Sequence, residues 1–191
     1  MSELDNIIPP EVKNDKFYEA IVKLSSTENI STVLEIGSSS GAGSTEAFVC
    51  GIKNNPYKPR LFCMELSQPR FTELKNRYAE DKFVKCYNAS SVPQSEFPTK
   101  EELSHFYQTC PTALNQYPLE RVIGWLDQDI EYLNSHNVEH SGIELIKSEN
   151  RIKNFDMVLI DGSEFTGKSE LNHVYGAKFI LLDDVNGFKN R

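Results

Sequence analysis

The chain spells out an α/β fold, a mainly parallel sheet with helices on both faces. Three observations carry this. Apolar runs of strand length alternate with segments of helical spacing from the first third of the chain to its end. Several of those runs close on an acidic residue, as at Glu65, Asp161 and Asp183. After the first run comes a loop of glycines and serines, Gly37-Ser-Ser-Ser-Gly41-Ala-Gly43-Ser-Thr, that opens into a helix-compatible segment. A loop of this kind at the carboxyl end of a parallel strand is where open α/β sheets bind ligands.

In chain order, Phe17, Ile21 and Leu24 give residues 15–24 helical apolar spacing, and Thr32–Ile36 reads as a buried strand. Residues 44–53 form a crossover helix that ends before the breaker Asn54-Asn55-Pro56-Tyr57-Lys58-Pro59. Arg60–Met64 is the second strand, closed by Glu65; a helix over 68–79 and a third strand at Phe83–Tyr87 follow. The connection from Ser90 to Asn154 is too long for one crossover helix. Within it Leu119, Val122, Ile123, Leu126, Ile130 and Leu133 recur at three- and four-residue steps, with shorter helices over 100–107 and 142–153. This insertion, about 91–153, either packs on the sheet or forms a substrate-selecting lid. Phe155–Ile160 and Phe179–Leu182 are the fourth and fifth strands. Only a few residues follow Asp184, which points to a fragment or a short variant with an exposed sheet edge.

At 191 residues the chain reads as a single domain, 1–191, with enough length for a substantial core. A net charge of −8 argues against broad binding to nucleic acid or anionic membranes. No apolar run reaches the span of a bilayer, and the acidic start lacks the features of a signal peptide. Cys50, Cys63, Cys86 and Cys110 show no CxxC spacing and read as reduced thiols of a cytoplasmic protein. Self-association is left open by these features.

The glycine loop narrows the ligand. Gly37 permits a sharp exit from the strand, and Gly41 lets backbone crowd a ligand. A dinucleotide site prefers G-x-G-x-x-G, but here the third glycine is missing and Glu46 would sit beside a phosphate. Glu35 at the loop entrance would repel a pyrophosphate and suits a sulfonium or ammonium charge. Glu65, one strand over, can accept hydrogen bonds from two ribose hydroxyls. Together these favour S-adenosylmethionine over a nicotinamide dinucleotide.

On these residues the chain resembles the class I S-adenosylmethionine-dependent methyltransferases, in the style of the small-molecule and sugar O-methyltransferases. Val33-Leu-Glu-Ile-Gly-Ser-Ser-Ser-Gly41 looks like motif I, and Phe62-Cys-Met-Glu65 like the ribose-binding second motif. Tyr87-Asn88-Ala89-Ser90 falls at the adenine contact, and Phe155–Gly162 and Phe179–Asp184 match the fourth- and fifth-strand motifs. The resemblance implies a Rossmann-like, doubly wound sheet of order 3-2-1-4-5. It implies a cofactor held by Glu35, Gly37, Ser38, Ser39 and Gly41, by Glu65 and Leu66, and by Asn88, Ala89 and Ser90. A small-molecule acceptor is the implied partner, with Asp161 as the candidate catalytic residue. Asp161 and Asp184 match the positions that hold magnesium in catechol-type enzymes. Where that pattern has Asn directly after the fifth-strand Asp, this chain has Val185 and then Asn186. No catalytic base is recognisable from the motifs.

Rival patterns exist. Gly162-Ser-Glu-Phe-Thr-Gly167-Lys168-Ser169 satisfies the phosphate-loop spacing of ATP- and GTP-binding proteins. Glu164 inside the cradle and the short stretch between Ser169 and the fifth strand, with little room for a helix, argue against it. A non-catalytic cofactor-binding or assembly module is the other alternative. His136-Asn-Val-Glu139-His140 matches a zinc-protease pattern, yet lies in a polar turn. His173 follows the fourth strand and reads as a surface histidine.

Overall fold

The computed structural model describes residues 3–190. Five strands form one all-parallel sheet of order β3-β2-β1-β4-β5, with β1 Thr32–Ile36, β2 Arg60–Glu65, β3 Val84–Asn88, β4 Met157–Ile160 and β5 Phe179–Leu182. Residues 32–36 of β1 and 157–160 of β4 are buried throughout, because helices cover both faces. Such strands read as largely apolar runs, interrupted in β1 by Glu35, which is why both were legible.

Alternation along the strands divides the core in two. Val33, Leu61, Cys63, Met157 and Leu159 face α1 (Lys16–Thr27), α2 (Ser44–Asn54) and α3 (Gln68–Arg77), meeting Ile21, Phe48, Ile52 and Leu74. Leu34, Ile36, Phe62, Met64, Val158 and Ile160 face the other way, onto Ile143 and Ile146 of α6 (Gly142–Asn150) and Val174 of α7 (Gly167–Val174). Each fully buried aliphatic side chain contributes about 1.5–3 kcal/mol.

Local chemistry sets the helix ends. Asp15 caps α1 by accepting the Tyr18 N–H at 2.7 Å, and Thr99 with Glu102 forms a capping box on α4 (Lys100–Thr109). Asp156 ties the start of β1 to that of β4. Its Oδ2 accepts the Ser31 and Thr32 N–H groups at 2.7 and 3.1 Å, and Lys178 pairs with it at 2.7 Å.

The sequence expectations differ from the structure at one place, and the three helices expected in the long connection are present. The stretch between β4 and β5 does hold a helix, the eight-residue α7 beginning at Gly167. It was not legible because its burial comes from few positions, Gly167, Glu170 and Val174, which give no apolar period. The long connection folds into α4, α5 (Leu119–Ser135) and α6. Leu103, Leu114, Val122 and Leu126 build a third core with Phe165, beyond the carboxyl ends of β4 and β5, so α4 and α5 cover the loops rather than the sheet.

Candidate functional site

A cleft of about 320 Å³ opens at the carboxyl ends of the strands, where the chain order reverses between β1 and β4. Its size lies within the range of small-molecule sites. Nine of the residues singled out from sequence line it: Gly37, Ser38, Ser39, Glu65, Leu66, Ala89, Ser90, Asp161 and Asp184. Glu35, Gly41 and Asn88 do not.

Gly37 is required by the approach of two strand exits. Its φ is +87°, and a Cβ there would lie 2.0 Å from the Asp161 carbonyl oxygen. The loop then folds over β2, with the Gly37 and Ser38 N–H groups donating to the Met64 carbonyl at 3.0 Å each. Ser39 takes a left-handed φ of +48°, held by its N–H to Glu65 Oε2 at 2.7 Å. Glu65 Oε1 accepts the Ser67 N–H at 2.8 Å. One carboxylate therefore fixes both the glycine loop and the turn after β2.

Three expectations are corrected here. Glu35 is fully buried and sits beneath the loop rather than at its mouth, where Oε2 accepts the Ser38 and Thr45 hydroxyls at 2.7 Å each. Burial pushes its pKa up, against the pull of those hydroxyls. Side chains alternate across a strand, and position 35 faces the α2 side. Gly41 is crowded by α3 rather than by a ligand: a Cβ would meet Tyr78 and Leu74 at 2.7 and 2.8 Å. Asn88 spends its amide on the Glu65 and Leu66 carbonyls at 2.9 and 2.8 Å, so it shapes the wall without facing the cleft.

Ala89 and Ser90 are pinned from the insertion. Ser90 N–H donates to the Glu139 carbonyl at 2.7 Å and Gly142 N–H to the Ser90 carbonyl at 2.8 Å. Gly142 must be glycine, since a Cβ would lie 2.3 Å from Met64 Sδ. The zinc-like pattern is part of this turn. His136 stacks on Tyr132 at 3.8 Å, and Glu139 accepts the His140 and Ser141 N–H groups. The phosphate-loop pattern forms no cradle, because Gly167 is pressed against the Lys189 carbonyl and Lys168 is exposed outside the cleft.

The far end of the cleft is acidic. Burial, with Asp183 and Asp184 nearby, pushes Asp161 up to about 7 despite the opposing Lys189 ammonium. Asp129, from α5, is raised to about 6 by burial, and its Oδ2 accepts the Ser163 hydroxyl at 2.5 Å. Burial also raises Glu164. Sequence reading missed Asp129, Glu164 and Lys189, and missed the segment of residues 8–12 that lies over the loop at Gly43. None has a periodic or spacing signature, and each arrives by tertiary packing.

The donor set fits a nucleoside. Each Glu65 oxygen has two lone pairs and uses one of them on the backbone, leaving capacity for two hydroxyls. It does not fit a divalent metal as the chain is folded. Asp161, Asp183 and Asp184 bring one oxygen each within 4.8 Å of one another, but the Lys189 ammonium already lies 3.1 Å from Asp161 and 3.2 Å from Asp184. A dication about 4 Å from that ammonium would be repelled by roughly 8 kcal/mol at an effective dielectric near 20.

Among the described residues no helix is long and apolar enough to cross a membrane. No protein-family model matches the chain, and no curated protein matches it. The chain is similar to a crystal structure from Klebsiella pneumoniae of a protein provisionally named an O-methyltransferase. The identity is 13% and the TM-score 0.49, over 89% of this chain and 53% of that one. The chain thus spans about half the length of that protein, and at this level the likeness carries no argument about chemistry.

Proposed function

We propose that the chain is an S-adenosylmethionine-dependent methyltransferase acting on an oxygen of a small molecule or sugar. The observation that carries the reading is Glu65, a buried carboxylate at the end of β2 that lines the cleft and braces the glycine turn of β1. Glu65 would hold the ribose, Leu66, Ala89 and Ser90 the adenine, and Gly37 to Ser39 the methionine end. Held by these residues, the cofactor would supply an electrophilic methyl group to an acceptor oxygen. Asp161, poised near neutrality, would accept the hydroxyl proton that the acceptor gives up. Asp129 and Glu164 make that end of the cleft unfavourable for anionic acceptors and favourable for hydroxyl-rich ones. A reduced, cytoplasmic setting is part of this proposal.

Calorimetric titration with S-adenosylhomocysteine, NAD and ATP tests the reading. Saturable binding of S-adenosylhomocysteine, and of neither nucleotide, is expected. ATP binding lost in Lys168→Ala, without S-adenosylhomocysteine binding, would overturn it in favour of the phosphate-loop alternative. S-adenosylhomocysteine binding with no turnover on any acceptor would favour the inactive module.

A further inference from the structure

The tail after β5 returns to the cleft and delivers one lysine into it. The Lys189 side chain is only 3% exposed, and its Nζ lies 3.1 Å from Asp161 Oδ1 and 3.2 Å from Asp184 Oδ2. Glu164 adds a third negative field. The backbone around it is fastened on several sides. A Cβ on Gly167 would come within 1.9 Å of the Lys189 carbonyl oxygen, so the tail lies directly on the start of α7. Phe188 packs edge-on against Phe106 of α4 at 4.7 Å and against Phe165 at 6.3 Å. The Asn190 amide donates to the Asp183 carbonyl. An ammonium is costly to bury unless carboxylates surround it. Here the packing of its neighbours directs it to the place where three carboxylates converge.

We propose that Lys189 supplies, from within the chain, the positive charge that a divalent cation would bring to Asp161, Asp183 and Asp184, so that the cleft works with a lysine ammonium in place of a metal. One of its three N–H groups donates to Asp161 and Asp184 lies 3.2 Å away as an ion-pair partner, which leaves at least one N–H to orient an acceptor oxygen beside Asp161. That last role rests on the methyl-transfer reading, whereas the replacement of the cation stands on the position of Lys189 alone. A consequence follows for the three aspartates. Without the ammonium, they are an oxygen-rich group with the ligand chemistry of magnesium or manganese.

Manganese binding to the full chain, read by water-proton relaxation, tests this without any assay of activity. The wild-type protein is expected to show no site at up to about 1 mM Mn²⁺, where weak oxygen-ligand sites begin to fill. Lys189→Met, of similar length and uncharged, should bind at least roughly tenfold more tightly than wild type, as a carboxylate site freed of a competing cation requires. The double variant Lys189→Met/Asp161→Asn should lose that gain. A wild-type site well below about 1 mM that disappears in Asp161→Asn would overturn the proposal. So would a Lys189→Met protein, folded by circular dichroism, that takes up no more Mn²⁺ than wild type. If Lys189→Met does not fold, the wild-type titration decides between the two. S-adenosylhomocysteine affinity is measured separately at Glu65, so this inference and the functional reading can fail independently.

Discussion

Glu65→Gln separates a ligand-binding carboxylate from one that only braces a loop. The carboxylate accepts the Ser39 N–H at 2.7 Å and the Ser67 N–H at 2.8 Å from its two oxygens. Glutamine keeps the shape but turns one acceptor into a donor, so one of those N–H groups loses its partner and faces an NH₂. An unsatisfied buried donor costs about 1–3 kcal/mol. Burial pushes the Glu65 pKa up, against the Ser67 and Ser39 N–H groups and Arg70, so a neutral amide is cheaper to bury and offsets part of that loss. The net destabilisation should be about 1–2 kcal/mol, read by urea denaturation at pH 7. The effect on ligand is larger. Hydrogen bonds to a charged acceptor contribute about 1.5–3 kcal/mol, so the Kd for S-adenosylhomocysteine should rise roughly 10- to 150-fold by calorimetry. If stability falls as expected while affinity stays within about twofold of wild type, a 0.4 kcal/mol effect at most, the carboxylate braces the loop and the ribose assignment is wrong.

Two further outcomes follow from the same geometry. Gly37→Ala must place a side chain at a φ of +87° and 2.0 Å from the Asp161 carbonyl, so β1 and β4 have to separate at the cleft. The expected loss exceeds about 4 kcal/mol or abolishes folding, and a thermal melt within a few degrees of wild type would show that the turn is not built this way. Stability should also fall as pH rises from about 4 to 8. Asp161, raised to about 7, and Asp129, raised to about 6, are protonated in the fold where the unfolded chain is already ionised. The folded state therefore binds more protons across that window and loses stability as they leave. His173 acts in the same direction. Burial lowers its pKa, but Glu144 and Glu96, each at 3.0 Å, raise it further, and its charged pairing is lost as pH rises through the raised value. Asp156 acts in the opposite sense at the acid end, because its pKa is lowered. Burial works against that shift, but Lys178 and the Ser31 and Thr32 N–H groups outweigh it, and their support is lost as pH falls through the lowered value. A urea midpoint higher at pH 8 than at pH 5 would contradict the protonated state of the acidic cluster.

Much of the sheet could be read directly because parallel strands buried on both faces leave long apolar runs, as at Thr32–Ile36 and Met157–Ile160. The 119–133 periodicity placed α5 for a related reason, since one face of the helix had to meet a core. The glycine turn and Glu65 were legible because a strand end fixes where the next residues go. Glu35 was misplaced because a motif gives the order of residues but not which face of the strand a carboxylate takes. Gly41 was misread because the need for a missing Cβ looks the same whether the neighbour is a ligand or Tyr78. The helix α7 escaped because eight residues with few buried positions carry no period.

The strand order was implied by the resemblance of the motifs to a known family, while the amino-acid order by itself determined the α/β class and the position of a candidate site at the ends of β1 and β2. Those follow from local patterns: apolar runs, breaker residues and a glycine loop next to an acidic strand end. Only the tertiary structure decided what charge the far end of that site carries. Asp129 comes from α5, Glu164 from the loop after β4 and Lys189 from the segment after β5, and they meet in the cleft that Asp161 lines through packing between elements distant in the chain. The two phenylalanine contacts at Phe188 and the close approach at Gly167 set where the ammonium lies. A lone lysine in the segment after β5 has no local signal of that placement, because its position is fixed by contacts that exist only once the chain is folded.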